Sequence, residues 1–156
     1  MNSLYHVIKE GALLTSGTVD NFNTMTINWG MFGSLWNEST FICFVRPSTY
    51  TREFLDENEY FSISFFLPAY RQELSYLGTH SGRDIDKVKD VNFNVVKLER
   101  GITFKEAYQT IVCKKIAVQN LDEDSIPEDI KEIYYKNNDI HKMYIGKIVD
   151  IYEDYQ

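Results

Sequence analysis

An apolar run that stops at a proline constrains the fold of this chain more than any other feature. The run is Phe41-Ile42-Cys43-Phe44-Val45, which has the length of a strand and contains no polar residue. A continuous apolar run of this length is typical of a strand that is covered on both faces. Pro47 lacks a backbone N–H and fixes φ, so the strand is predicted to end near Arg46. The pattern therefore predicts a central strand around which the rest of the chain is arranged.

Hydroxyl side chains follow this strand and open a predicted helix. Ser48 or Thr49 offers an N-cap oxygen to a helix that carries Phe54 and Leu55. The guanidinium of Arg46, the hydroxyls and the N–H groups of the helix start are the donors that a phosphate monoester needs. Two interpretations stay open here. The segment binds an anion, or its hydroxyls only cap the helix while Arg46 pairs with a surface carboxylate.

Length and charge limit the possible organisation and partners. The 156 residues fit a single domain, predicted over residues 1–156, with a core of its own. A formal net charge of -7 argues against nucleic acid and against a membrane surface as partners, because both require basic surfaces. The sequence shows neither a signal-peptide pattern nor an apolar run long enough to span a bilayer. Cys43 and Cys113 fall in predicted strands, so we expect buried thiols and a cytoplasmic location.

The segment 24–29 alternates between apolar and polar side chains, as a strand with two different faces does. Its apolar residues are Met25, Ile27 and Trp29, and its polar residues are Thr24, Thr26 and Asn28. A polar face of this kind either meets solvent or lines a polar ligand. Both interpretations stay open for this strand.

The remaining patterns predict several strands with a few short helices between them. Strands are predicted at 13–17, 61–66, 110–121 and 143–152, and a helix is predicted from Tyr70 to Leu77 with Gly78 as its C-cap. Capping-box patterns occur at Thr103–Glu106 and Ser125–Glu128, the second before a helix with Ile130, Ile133 and Tyr134 on one face. The predicted fold class is mostly β, an antiparallel, Greek-key-like barrel with helical insertions.

A short polar loop at 79–87 concentrates positive charge in an acidic chain. Gly82 lets the backbone approach a ligand closely, and Arg83 and Lys87 supply cations. The alternative is an ordinary surface loop in which the charges pair internally, Asp84 with Lys87 and Arg83 with Asp86.

Several motifs of chemistry are missing from the sequence. It contains no G-x-G-x-x-G after a strand, no Walker lysine loop, no G-x-S-x-G elbow and no closely spaced His or Cys pair for a metal. His141 is interpreted as a structural hydrogen-bonding residue. We therefore predict no metal site and no catalytic side-chain constellation, and expect that a bound cofactor would carry any redox chemistry.

Taken together, four segments resemble the flavin reductase-like, FMN-binding split-barrel family. They are Asn23–Gly30, Val45–Thr51, Tyr76–Lys87 and His141–Ile148. The resemblance covers about Leu13 to Asp150. It is strongest to the flavoredoxin-like branch, in which R-P-S-x-Y-T and S-G-R-D-x-D-K occur together.

The resemblance implies FMN as the cofactor and assigns its binding residues. Those that match the ring-binding strand are Thr24, Met25 and Thr26, with Trp29 nearby. Those that match the phosphate-binding turn are Arg46, Ser48, Tyr50 and Thr51, and those that match the closing loop are Ser81, Gly82, Arg83 and Lys87. It also implies a homodimer, and NADH or NADPH as a transient reductant that needs no Rossmann domain.

Three functions are compatible with these expectations. The first is an NAD(P)H-dependent oxidoreductase that passes electrons through FMN to free flavin or another acceptor. The second is an electron-transfer flavoprotein whose tightly bound FMN is reduced by a partner protein. The third is a barrel that binds no flavin and serves as a scaffold.

Overall fold

The computed structural model describes residues 8–153, in which antiparallel strands predominate. The strands are β1 (Ala12–Thr18), β2 (Asn21–Ile27), β3 (Gly30–Leu35), β4 (Glu38–Val45), β5 (Tyr60–Phe65), β6 (Val95–Leu98), β7 (Gly101–Phe104), β8 (Gln109–Asn120) and β9 (Lys142–Glu153). The helices are α1 (Tyr50–Glu57), α2 (Arg71–Thr79), α3 (Lys87–Asp90) and α4 (Glu128–Tyr134), with short 3-10 turns at Pro68–Tyr70 and Glu123–Ser125. Within this part of the chain, no helix combines the length and the apolar character needed to cross a membrane.

Seven strands form one curled antiparallel sheet. Its order is β2-β1-β5-β8-β9-β4-β3, and β6 and β7 form a separate hairpin. Phe32 on the edge strand β3 approaches Phe65 on β5 with a ring-centroid distance of 6.2 Å. These strands lie at positions seven and three of the sheet, so the contact crosses its interior. The two ends of the sheet, β2 and β3, therefore face each other. We call the gap between β2 and the end of β4, the strand beside β3, the seam.

The interior of the curled sheet is filled by side chains from six strands. Fully or almost fully buried members are Leu14 on β1, Ile27 on β2, Phe41, Cys43 and Val45 on β4, Phe61, Ile63 and Phe65 on β5, Ile111 and Cys113 on β8, and Tyr144 on β9. Alternate residues of a strand face the same side, which is why Phe41, Cys43 and Val45 on β4 all enter this core. The strand ends at Val45, next to Arg46, as predicted. The expected coverage on both faces is wrong, because Ile42 and Phe44 on the other face are only half-buried and β4 lies next to the edge strand β3.

A second apolar cluster holds α2 and the β6–β7 hairpin against the outside of the sheet. It contains Leu13, Phe66, Leu74, Leu77, Val88, Phe93, Phe104 and Ala107. Gly78 lies at the contact between α2 and β2, where an added Cβ would come 3.0 Å from Cβ of Thr26. The end of α2 is thereby set directly against the strand that borders the seam.

The expected fold class is confirmed, but several predicted helix ends are wrong. α2 continues through Gly78 to Thr79 and is capped at His80. Thr103 belongs to β7, so the first capping-box pattern marks no helix. The second pattern does precede α4, but the hydroxyl of Ser125 bonds the carbonyl of Asp122 at 2.7 Å and does not cap the helix.

Candidate functional site

A cleft of about 400 Å³ lies at the seam of the sheet. Its walls are formed by β2, the end of β4, the first turn of α1, the end of α2 and the loop 80–87. Three other depressions share lining residues with it. Their volumes are about 250 Å³ beside Trp29, about 420 Å³ beside Arg83 and about 710 Å³ beside Tyr134. The volume of the main cleft lies in the range usual for small-molecule sites.

Arg46, at the end of β4, borders the cleft and holds the segment that follows α4. Its Nη1 donates to the carbonyl of Asp139 at 3.0 Å, and its Nη2 donates to the carbonyl of Tyr134 at 3.0 Å. The guanidinium also lies 5.4 Å from the ring centroid of Tyr135. Arg46 forms no ion pair with a carboxylate anywhere in residues 8–153, so the surface-carboxylate alternative is wrong.

The first turn of α1 is not capped by a hydroxyl. Thr49 occupies the N-cap position without a side-chain hydrogen bond, and Ser48 instead donates its backbone N–H and its hydroxyl to the carboxylate of Asp139. The expectation that these hydroxyls cap the helix is therefore wrong. The N–H of Tyr50, the first residue of the helix, has no hydrogen-bond partner among the described residues. It is one of the orphan donors that a helix start presents to an anion.

The hydroxyl face of β2 packs against protein. The hydroxyl of Thr24 lies 2.9 Å from that of Thr15, and the hydroxyl of Thr26 donates to the carbonyl of Leu74 at 2.5 Å. Thr24 is fully buried and Thr26 is half-buried, so the solvent-facing interpretation is wrong for Thr24, and the ligand-lining interpretation stays a prediction. The opposite face, which includes Met25, borders the cleft.

Asn23 joins three of the cleft walls. Its Nδ2 on β2 donates to the hydroxyl of Thr51 on α1 at 2.8 Å, and both residues are buried. Gly82, in the loop, approaches so closely that an added Cβ would clash with Oδ1 of Asn23. Because Thr51 is fully buried, its side chain lies behind the cleft surface.

The charged groups of the loop pair outside the loop. The guanidinium of Arg83 pairs with Glu53 on α1 and lies 4.5 Å from the ring centroid of Tyr50. The carboxylate of Asp86 accepts from the backbone N–H of Lys89 at 3.2 Å and caps α3. The alternative interpretation, in which the charges pair within the loop, is therefore wrong.

Lys87 has its ammonium group buried at the base of the loop. Nζ donates to the carbonyl of Leu77 at 2.8 Å and to that of His80 at 2.9 Å. These carbonyls belong to the end of α2, where a positive charge is favourable. Burial lowers the pKa of Lys87 to about 8. The group therefore remains mostly cationic at neutral pH.

Aromatic rings close the other end of the seam. Trp29 lies edge-on to Tyr134 with a centroid distance of 5.2 Å, and 5.0 Å from the ring of His141. Nδ1 of His141 bonds the hydroxyl of Tyr135 at 2.8 Å. Burial, with the nearby charge of Arg46, lowers the pKa of His141 to about 4. A neutral imidazole therefore borders the cleft.

The structure gathers the predicted site residues around the seam. Those that line the main cleft are Met25, Arg46, Ser48, Tyr50, Thr51, Ser81, Gly82 and Lys87. Those that line only the adjoining depressions are Thr24 and Arg83 on one side and Thr26 and Trp29 on the other. Binding roles for all twelve stay predictions. The Thr26 hydroxyl already donates to the carbonyl of Leu74, so it could offer a ligand only an acceptor.

Several lining residues were not predicted as site residues. Asn23, Phe44 and His141 border the main cleft, and Asp139 engages Ser48 beside it. Asn23 and His141 begin two of the segments that carry the family resemblance, so their positions could have pointed to the site. Asp139 lies 91 residues from Ser48, and no local pattern could have predicted this contact.

Comparison with known proteins is consistent with this arrangement. The family model described as "Flavin reductase like domain" matches residues 4–156. No match is found among curated proteins.

The fold is similar to those of several solved structures. The flavoredoxin from Methanosarcina acetivorans is 23% identical, with a TM-score of 0.73 over 94% of this chain and 69% of that chain. The FMN-binding protein from Thermus thermophilus with bound 1-cyclohex-2-enone is 20% identical, with a TM-score of 0.74 over 98% of this chain and 75% of that chain. A homologue of nitrilotriacetate monooxygenase component B from Mycobacterium thermoresistibile is 11% identical, with a TM-score of 0.72 over 94% of this chain and 69% of that chain. At these identities the likeness concerns the fold.

Proposed function

We propose that this chain, which belongs to the flavin reductase-like family, binds FMN in the seam cleft and acts as an NAD(P)H-dependent oxidoreductase. Bound FMN would supply the two-electron redox chemistry, and free flavin or another molecule would be the acceptor. The chain's own residues would bind the cofactor and exclude water from one side of it.

The observation that carries the proposal is the distribution of polar groups along the cleft. At one end, the unpaired N–H of Tyr50 lies with Arg83 and the Lys87 ammonium, which are suitable donors for a phosphate. At the other end, Met25, Phe44 and the exposed Trp29 offer apolar and aromatic surface. An anionic tail joined to a flat ring fits this pattern.

The contacts of Arg46 and Ser48 define what phosphate binding would require of them. Both lie at the cleft, but the guanidinium and the hydroxyl are engaged by the segment 134–139. Direct phosphate binding by either residue would require this segment to yield. Tyr50 and Lys87 would need no such rearrangement of the segment, and Arg83 would have to exchange Glu53 for the phosphate.

Purified protein tests the cofactor first. We expect FMN to bind with a change in its fluorescence and absorption, and riboflavin to bind more weakly because it lacks the phosphate. A protein that binds neither flavin would contradict both redox functions and leave the scaffold function. Anaerobic addition of NADH or NADPH to the FMN complex should then bleach the flavin absorption near its long-wavelength maximum.

A second candidate function is an electron-transfer flavoprotein reduced by a partner protein. The observation that favours it is the exposed side of α4, where Ile133 is 64% and Tyr134 43% accessible. Tyr134 touches Trp29, so this apolar surface begins at the rim of the cleft. FMN that binds tightly but is bleached by neither nicotinamide would favour this function.

A homodimer and a cytoplasmic location complete the proposal. The edge strand β3 and its hairpin expose Met31 and Trp36, and such a surface is typical of a subunit contact. Cys43 and Cys113 are both free thiols, which suits a reducing compartment. Light scattering on the purified chain would measure the subunit number, and a monomer at micromolar concentration would contradict the dimer.

A further inference from the structure

Asn23 lies where three cleft walls meet. Its Nδ2 donates to the hydroxyl of Thr51 across 2.8 Å, which ties β2 to the first turn of α1. Both side chains are buried, Asn23 at 6% exposure and Thr51 at 0%. A buried hydrogen bond of this kind is expensive to break, because the surviving partner is left without water.

The same amide also limits the approach of the loop 80–87. The Cα of Gly82 is so near Oδ1 of Asn23 that an added Cβ would clash with it, while the next wall, Cδ1 of Tyr50, would lie at 3.5 Å. The glycine is therefore required by a neighbouring side chain of the protein itself. No ligand is needed to explain it.

We infer that Asn23 is a positioning residue that sets the separation between the start of α1 and the loop 80–87. This inference rests on the proposed FMN site, because these two walls carry the phosphate donors, the N–H of Tyr50 on one and Arg83 and Lys87 on the other. Asn23 holds the first wall through Thr51 and stops the second wall at Gly82. The amide thereby fixes the width of the phosphate end without needing to touch the phosphate.

The inference predicts a specific pattern of flavin affinities. Asn23→Ala removes both the tie to Thr51 and the stop against Gly82. Of the contacts described between the two walls, the pairing of Arg83 with Glu53 and its contact with Tyr50 remain, and neither fixes the position of the loop backbone. FMN affinity should fall about tenfold or more, while riboflavin affinity should change less than about threefold, since riboflavin lacks the phosphate. A purely structural role would lower both affinities together.

A double-mutant cycle with Gly82 tests the positioning role directly. Gly82→Ala alone should also weaken FMN, because its Cβ would displace the Asn23 amide. In the Asn23→Ala background that clash is absent. The FMN affinity of the double variant should therefore be no lower than that of whichever single variant binds FMN more weakly. If Gly82 served only to make room for the ligand, the fold-decreases in FMN affinity of the two single variants would multiply in the double variant.

The measurements are dissociation constants for FMN and riboflavin from flavin fluorescence, with thermal melting of each variant. Asn58→Ala is the matched control, because Asn58 is a part-buried asparagine whose Nδ2 bonds the carbonyl of Phe54 at 2.9 Å. Asn58 lines neither the main cleft nor the depressions beside Trp29 and Arg83. The Asn58→Ala change should therefore lower the melting temperature and leave the FMN affinity unchanged. If Asn23→Ala does not fold, Thr51→Val replaces it, because it removes the bond to Asn23 at nearly unchanged volume and adds no charge. It should weaken FMN more than riboflavin.

Three outcomes would overturn the inference. Multiplying losses in the cycle, or equal losses for FMN and riboflavin in the Asn23 variant, would remove the positioning role while the proposed function stands. Failure of the unaltered protein to bind either flavin would remove the proposed function and the positioning role together.

Discussion

Lys87 shows how one buried group could link flavin binding to pH. Its ammonium is held by two carbonyls at the end of α2, and burial lowers its pKa to about 8. Below that pH the group is cationic and can attract a phosphate. Above it the group becomes neutral, and the attraction is lost.

We therefore expect FMN affinity to fall as the pH rises from 7 through 8 to 9.5. Titration of FMN fluorescence at each pH measures the change, and riboflavin serves as the phosphate-free control. Lys87→Met should bind FMN more weakly at pH 7 and show a flat profile over this range. A wild-type profile as flat as that of the variant would mean that Lys87 does not face the phosphate.

The lowered pKa of His141 predicts that the folded protein loses stability in acid. Its pKa is lowered to about 4 in the folded protein, whereas an unfolded histidine titrates near 6.5. Between these values the unfolded chain binds the proton and the folded chain does not, so stability falls as the pH drops from about 6.5 to 4. The full effect is at most about 3.4 kcal/mol.

Chemical denaturation of His141→Gln tests this expectation. The variant should lose less stability than the unaltered protein between pH 6.5 and 4. His80→Gln is the control, because the His80 side chain lies at the surface. Parallel curves for the His141 variant and the unaltered protein would contradict the assignment.

Among the elements, the segment that follows α4 depends on contacts from the β4–α1 turn. Arg46 holds the carbonyls of Tyr134 and Asp139, and Ser48 holds the Asp139 carboxylate. α4 has no buried residue of its own. A helix of seven residues without a buried face needs such outside contacts to persist.

Arg46→Ala should therefore release this segment and weaken FMN by about 2 kcal/mol or more if Arg46 also binds the phosphate. Hydrogen exchange over 128–139 measures the release, and FMN and riboflavin titrations measure the binding. Arg100→Ala is the control, since Arg100 pairs with Glu99 and Asp150 and lines none of the pockets that include Arg46. Faster exchange with unchanged FMN affinity would restrict Arg46 to a structural role.

Six of the nine strands were predicted from the sequence, whereas β3, β6, β7 and most polar contacts were not. The long apolar segments of β8 and β9 leave little freedom, and their predicted ends differ from the observed ones by one residue. The hydrogen-bond partner of a hydroxyl is whichever acceptor the folded chain brings within reach. Ser48 meets a carboxylate 91 residues away, and Ser125 meets a carbonyl three residues back.

The seam site was predictable only in part. The resemblance pointed to twelve residues that surround the seam, but it could not show that Thr24 and Thr26 are occupied by Thr15 and Leu74. Such pairings depend on register and helix packing, which local patterns do not contain. The extent of the domain over residues 1–156 stays a prediction.

For the whole molecule, the curled sheet closes tightly around Gly146 on β9. An added Cβ there would come 2.5 Å from Cζ of Phe61 and 2.6 Å from Cβ of Cys113. The Cys113 Cβ is fixed by its backbone, so β8 and β9 would have to separate. Overpacking of this kind is destabilising.

Gly146→Ala should lower the free energy of unfolding by about 2 kcal/mol or more. Gly33→Ala is the matched control on the exposed edge strand β3, where the nearest side-chain atom to the added Cβ is 4.0 Å away. Denaturant melts of the two variants measure the difference. Equal stabilities would mean that the barrel interior can expand around an extra methyl group.

The two buried thiols are a built-in chemical probe of the rate at which the sheet opens. Cys43 and Cys113 are fully buried on β4 and β8, the two strands that flank β9. Burial raises the pKa of Cys43 to about 12 and raises that of Cys113 as well, so the reactive thiolate is scarce in the folded state. An alkylating reagent can therefore reach them only in molecules whose central strands have parted. The rate at which two alkyl groups are added, followed by mass spectrometry, would time that event in unmodified protein, with and without FMN.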